Sequence, residues 1–135
     1  IDFATISTTG NYTDFGNLST AAANASACSN STRGIYFSGY TGSAYTNVIE
    51  YITIATAGNA VDFGDKTAVK AYTVSTSSPT RAIVMGGFST SPSPAAFNVI
   101  EYVEIATTGN GVDFGDIDTG TLQTGAGASN GHGGL

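Results

Sequence analysis

Residues 108–116 read TGNGVDFGD, and the chain has already written AGNAVDFGD at 57–65 and TGNYTDFGN at 9–17. The three phrases place Asp14, Asp62 and Asp113 in one column, 48 and then 51 residues apart. An Asp-Phe-Gly tripeptide suggests the magnesium loop of a kinase. That site needs its Asp once, with a glycine-rich loop, a strand lysine and a His-Arg-Asp catalytic loop around it. Here the tripeptide comes three times without those companions, so it belongs to an internal repeat.

Outward from the phrase, the rest of a unit falls into register. IDFATISTTGN at 1–11, IEYITIATAGN at 49–59 and IEYVEIATTGN at 100–110 align, the last two preceded by Asn47-Val48 and Asn98-Val99. SNSTRGIYFSGY at 29–40 matches SSPTRAIVMGGF at 77–88, which puts Arg33 and Arg81 in one column. The third copy has His132 in that column and reaches Leu135 in the column of Tyr36 and Val84. The organisation is therefore one module, 1–135, with unit 1 at 1–46, unit 2 at 47–97 and an incomplete unit 3 at 98–135.

Val48, Ile49, Tyr51, Ile52 and Ile54 are β-branched or aromatic and bounded by turn formers, which predicts a strand. The short apolar runs 35–37 and 83–85 end at Gly39 and at Gly86-Gly87 and predict strands buried on both faces. Ala71-Tyr72-Thr73-Val74 predicts one more. Gly-Asn-x-x-Asp-Phe-Gly reads as a turn, an aromatic plug and a second turn, because Gly and Asn tolerate positive φ and Asp accepts hydrogen bonds from nearby backbone N–H groups. No segment carries a helical period. The expected class is all-β, with about four short strands per unit.

Composition narrows the function. Lys plus Arg number 4 against 10 Asp plus Glu, for a formal net charge of −6, and charged residues are 10% of the 135. Nucleic acid, whose phosphates need a basic surface, is a poor partner. Hydrophobic residues at 41% supply enough apolar surface for an ordered core despite the abundance of Gly, Ser and Thr. Cys28 stands alone, which excludes an internal disulfide framework. No apolar run approaches the ~20 residues a membrane helix needs. A polar, nearly uncharged coat suits an extracellular or virion setting, and Ile1 in the first position suggests a removed segment or a longer parent chain.

Gly86-Gly87, Tyr102 and Phe114, with Phe114 where Trp is usual, resemble a divergent kelch-type repeat, whose units run to about 50 residues. The combination of NVIEYITIAT, GNAVDFGD and STRG is similar to the kelch-like repeats of long structural proteins in tailed phages of cyanobacteria and other aquatic bacteria. The resemblance covers the whole chain. It implies β-propeller-type repeats, two full units plus most of a third, and a structural role in a virion or appendage. The chain departs from it at Ser38, where a second glycine is expected, at Asn17 and at His132.

On the structural reading, Asp14, Asp62 and Asp113 lock a turn, while Phe15, Phe63 and Phe114 occupy equivalent buried places between neighbouring blades. Arg33 and Arg81 bond carbonyls or an Asp of the adjacent turn. Asn59, Asp62 and Asp65, repeated as Asn110, Asp113 and Asp116, also form a set of hard oxygen donors for a structural calcium ion. The first copy offers one carboxylate fewer, and the expectation is that folding needs no metal or other cofactor. Catalytic sets are thin: His132 is the only histidine, Glu50 and Glu101 recur with the repeat as structural groups do, and Glu104 lies on the same expected strand as Glu101.

These readings lead to a non-enzymatic structural repeat protein, such as a phage tail, fibre or appendage component. The alternatives are a carbohydrate- or receptor-binding adhesin using Tyr40, Tyr45, Phe88 and the longer loop 89–97, and a propeller enzyme. Propellers close with four to eight blades. The expected partner is therefore another copy, in a ring of about three chains or a head-to-tail fibre, with a host-surface glycan or receptor as a second kind of partner.

Overall fold

The computed structural model describes residues 1–118, 122–123 and 125–129, and every regular element in them is a β-strand. Strands β1 (Asp2–Phe3) and β2 (Thr13–Asp14) form a small antiparallel pair. Next come β3 (Ser26–Ser29), β4 (Arg33–Phe37), β5 (Val48–Thr53) and β6 (Val61–Asp65), neighbours in that order in a four-stranded antiparallel sheet. A second sheet repeats the meander with β7 (Val74–Ser77) and β8 (Arg81–Met85). The hairpin β9 (Phe88–Ser89) and β10 (Ala95–Ala96) interrupts it, and β11 (Val99–Glu104) and β12 (Val112–Asp116) complete it. Among the described residues there is no helix, and the sheets neither close into a barrel nor complete a ring.

The two large sheets pack face against face. Ile35, Phe37, Ile49 and Phe63 of the first meet Ala82, Val84 and Val103 of the second, with Ile105 just past β11, in one buried cluster. Cys28 and Tyr51 pack against its margin. Alternation along β4 explains the choice: Ile35 and Phe37 turn inward, while Tyr36 stays half-buried on the other face. The reading of 35–37 and 83–85 as buried on both faces is corrected accordingly, since each has one buried and one half-buried side. The innermost strands of the sheets also touch, with the Ser26 and Thr73 hydroxyls 2.8 Å apart and Ser77 Oγ donating to Ser29 O at 2.7 Å.

Two local expectations change. Strand β7 lies at Val74–Ser77, not at 71–74. Tyr72 takes a left-handed φ of 58°, which breaks the strand there, and Asn24, in the same column of the repeat, takes 56°. The second half of the repeated phrase is also strand, not turn. Ile49 faces Gly64 and Glu50 faces Asp62, which leaves Phe63 without a partner in register; Phe114 is skipped in the same way between Ile100–Gly115 and Glu101–Asp113. Asp-Phe-Gly is thus a β-bulge whose extra residue is the Phe, bent by a glycine at positive φ. Gly16, Gly64 and Gly115 sit at 151°, 146° and 145°.

Each large sheet takes its first two strands from one unit of the repeat and its last two from the next. Residues 125–129 run beside β7, where a Cβ on Gly127 would lie 2.4 Å from Ser75 O. His132 and Leu135 lie outside the described residues.

Candidate functional site

The repeated phrase builds a seam between successive units, and the seam occurs twice. In the first, Gly58 N–H donates to Phe15 O at 2.7 Å, Ala60 N–H to Asn17 O at 2.8 Å, and Asn17 N–H to Asn59 Oδ1 at 3.0 Å. In the second, Gly109 N–H donates to Phe63 O at 2.8 Å, Gly111 N–H to Asp65 O at 2.7 Å, and Asp65 N–H to Asn110 Oδ1 at 3.0 Å. The Gly-Asn turn of one unit therefore docks on the Phe-Gly-Asp edge of the unit before it. Glycine on that edge is a steric requirement. A Cβ on Gly16 would lie 2.1 Å from Gly58 O, and one on Gly64 would lie 2.4 Å from Gly109 O.

These bonds correct the role given to the Asp column. Asn59 and Asn110, not Asp62 and Asp113, lock the phrase, and they lock it to a neighbour and not to their own loop. Asp113 accepts a bond from Gly115 N–H at 2.9 Å, but Asp14 and Asp62 take no corresponding bond among the described residues, and all three are exposed. Of the calcium candidates Asn59, Asp62, Asp65, Asn110, Asp113 and Asp116, the two asparagines turn their side-chain oxygens to the neighbouring unit. The described residues hold no group of three or more His, Cys, Asp or Glu placed for a metal ion.

The phenylalanine column divides. Phe63 is buried at 3% exposure, Phe15 is half-buried, and Phe114 is 56% exposed, which overturns the expectation of three buried plugs. The local geometry is constant: edge-to-face pairs join Phe3 to Phe15, Tyr51 to Phe63 and Tyr102 to Phe114 at 6.1, 5.9 and 6.1 Å. What differs is the cover. Phe63 lies beneath the second sheet, in a cluster with Ile105, whereas among the described residues nothing lies within 4 Å of a Cβ placed on Gly115 beside Phe114.

Arg33 and Arg81 each open a strand and stack 4.5 Å over a tyrosine, Tyr51 and Tyr102. Arg33 Nη1 then reaches across to Ile105 O at 2.7 Å, a carbonyl of the next sheet's turn, as expected. Arg81 pairs instead with exposed Glu104 of its own sheet at 2.6 Å.

Glu50 and Glu101 are buried in equivalent places and each ties down the preceding unit: Ser19 N–H donates to Glu50 Oε1 at 2.9 Å and Thr67 N–H to Glu101 Oε2 at 2.7 Å. Around Glu101 the second seam adds a cluster the sequence reading missed. Lys70, fully buried, forms an ion pair with Glu101 Oε1, and its Nζ lies 5.4 Å from the centre of the Phe97 ring. Lys66 Nζ donates to Ser38 O and, at 2.7 Å, to Lys70 O. Burial pushes the Lys66 ammonium down to about 7, and Lys70 adds to the shift while Glu101 opposes it. A signal was present in the sequence: Lys66 and Lys70 are half of the chain's basic residues and fall in columns that hold Leu18 and Ala22 in the first copy.

Two further surfaces are aromatic or apolar. Tyr40, Tyr45 and Phe88 meet at the end of the sheets where β4 leads to β5, with ring centres 5.0 and 6.3 Å apart, and all three are half-buried. On the far face of the first sheet an apolar cleft of about 530 Å³ is lined by Leu18, Ala27, Gly34, Tyr36 and Ile52. The corresponding face of the second sheet, Ala82, Val84 and Val103, is covered by the first sheet. Cys28, half-buried at the margin of the cleft, has its thiol pushed up to about 11 by burial, partly offset by the hydroxyls of Ser77 and Ser75. No family model and no curated protein matches the sequence.

Proposed function

We propose that the chain is a non-enzymatic structural repeat module of an extracellular or virion assembly, of the kind found in a phage tail, fibre or appendage. On this reading its four-stranded meanders are the blades of a kelch-like, β-propeller-type array that associates with further copies. The observation that carries the reading is the seam. The same three hydrogen bonds recur between successive units, so the repeated phrase is spent on joining one unit to the next and not on holding a ligand. A surface poor in charge and the kelch-like phrases support the setting. Sedimentation of the purified chain with electron microscopy tests it: rings or fibres are expected, and a monodisperse 13.6 kDa species at all concentrations would overturn it.

A second reading is favoured by the Tyr40, Tyr45 and Phe88 cluster, which joins aromatic rings beside the β9–β10 hairpin as a sugar-stacking platform would. Binding on a glycan array, abolished by Tyr45→Ala, is the outcome expected of an adhesin. An array without any hit removes that reading and leaves the structural one.

A further inference from the structure

The third copy of the acceptor edge is built like the two occupied ones and, among the described residues, stands open. Gly115 holds a φ of 145°, beside 151° at Gly16 and 146° at Gly64, and Phe114 keeps the edge-to-face contact with Tyr102 that Phe63 keeps with Tyr51. The donor turn of the first copy is likewise formed and unoccupied. Its Thr8 N–H bonds Thr5 O at 3.3 Å, as Thr56 bonds Thr53 O and Thr107 bonds Glu104 O, both at 3.1 Å. Residues 8–12 are exposed, and the Gly10 N–H has no partner among the described residues.

The side chains on the two open halves are complementary. Ile6 stands in the column of Ile105, which is fully buried in the cluster that contains Phe63, yet Ile6 itself is fully exposed. Phe114, the counterpart of Phe63, is 56% exposed. Each open half therefore displays the residue whose counterpart is buried at the second seam, between the two four-stranded sheets, while at the first, against the two-stranded β1–β2 pair, Ile54 stays 43% exposed. The cleft in front of the first sheet adds uncovered apolar surface on the donor side.

We propose that the Phe114-Gly115-Asp116 edge binds the Thr9-Gly10-Asn11 turn of a second copy of this chain, head to tail. Gly10 N–H donates to Phe114 O, Tyr12 N–H to Asp116 O, and Asp116 N–H to Asn11 Oδ1, while Ile6 packs on Phe114. Arg81 leaves Glu104 for the Ile6 carbonyl, as Arg33 holds the Ile105 carbonyl. Such a contact is heterologous and propagates. The inference rests on the assembly reading and names the surfaces that carry it.

Its test uses two variants at exposed positions, Ile6→Asp, which spoils the donor, and Phe114→Asp, which spoils the acceptor, compared with the wild-type chain by sedimentation velocity. The wild type is expected to associate with rising concentration. Each variant alone is expected to weaken association by at least about tenfold, the usual scale for an apolar anchor, while keeping the wild-type circular dichroism. Mixed together, they are expected to form a one-to-one dimer that grows no further, because one good donor meets one good acceptor. Association of both variants at wild-type strength would overturn the seam proposal and leave the assembly reading standing. A wild-type chain that stays monomeric would overturn both, leaving the edge to another repeat of the same phrase.

Discussion

The two occupied seams share their backbone and differ beneath it. Corresponding hydrogen bonds agree to within 0.1 Å, yet the residues behind them are Leu18 and Ala22 in the first and Lys66 and Lys70 in the second. Glu50 and Glu101 occupy the same place; only Glu101 faces a buried ammonium group. The joint is therefore specified by the Gly-Asn turn and the Phe-Gly edge. The filling behind it is free to vary between apolar and ionic.

That contrast can be broken most sharply at the glutamates. Glu101→Gln leaves Lys70 buried without its counter-ion and is expected to cost about 3–5 kcal/mol in urea unfolding. Glu50→Gln keeps an acceptor for Ser19 N–H with no ammonium to strand, so a loss nearer about 1 kcal/mol is expected. Equal losses would mean that the ion pair contributes nothing specific. Phe63→Ala removes a core ring and should also cost about 3–5 kcal/mol. Phe114→Ala, measured in dilute solution, should change stability by less than about 0.5 kcal/mol, as at other surface positions.

A methyl group probes the backbone joint itself. Gly64→Ala and Gly115→Ala carry the same φ penalty, but only the first meets a carbonyl across an occupied seam. Gly64→Ala is expected to cost about 1–3 kcal/mol more, the range for overpacking; a smaller difference would show that the seam yields easily. The mildest probe is pH. Lys66 loses its proton near 7 in the folded chain and near 10.5 unfolded, so the unfolded state binds more protons between these values. Stability should therefore rise with pH from 7 to 9, by at most about 1.4 kcal/mol per unit. From 9 to 11 the Cys28 thiol works in the opposite direction, because its folded value is raised from 9.0 to about 11, and the rise should level off. Lys66→Met should abolish the rise, and an unchanged profile in that variant would refute the assignment.

Much of this was legible in the sequence. The repeat, the strands at 35–37, 48–53 and 83–85 and the carbonyl partner of Arg33 follow from side-chain type and spacing, whereas Arg81 turned to Glu104 instead. What was not legible depends on partners. Strand β3 reads Ser-Ala-Cys-Ser, too small and polar to announce itself, because its contacts with β7 run partly through hydroxyls. The lock passed from Asp to Asn because the relevant acceptor serves the N–H of another unit, which no local turn rule sees. Phe114 is chemically identical to Phe63, and only the neighbouring surface makes one core and the other exterior. Lys66 and Lys70 look like surface charges until the carbonyls of Ser38 and Lys70 and the carboxylate of Glu101 are seen closing over them.

The offset between sheet and repeat has an evolutionary reading. Since every meander draws two strands from one unit and two from the next, unequal recombination between equivalent codons adds or removes a full unit at any point of the phrase. The spliced chain still presents each Gly-Asn turn to a Phe-Gly edge. Length can then change by duplication alone, with no new joint to invent and no ladder cut, and the number of units becomes a quantity selection can tune independently of the fold.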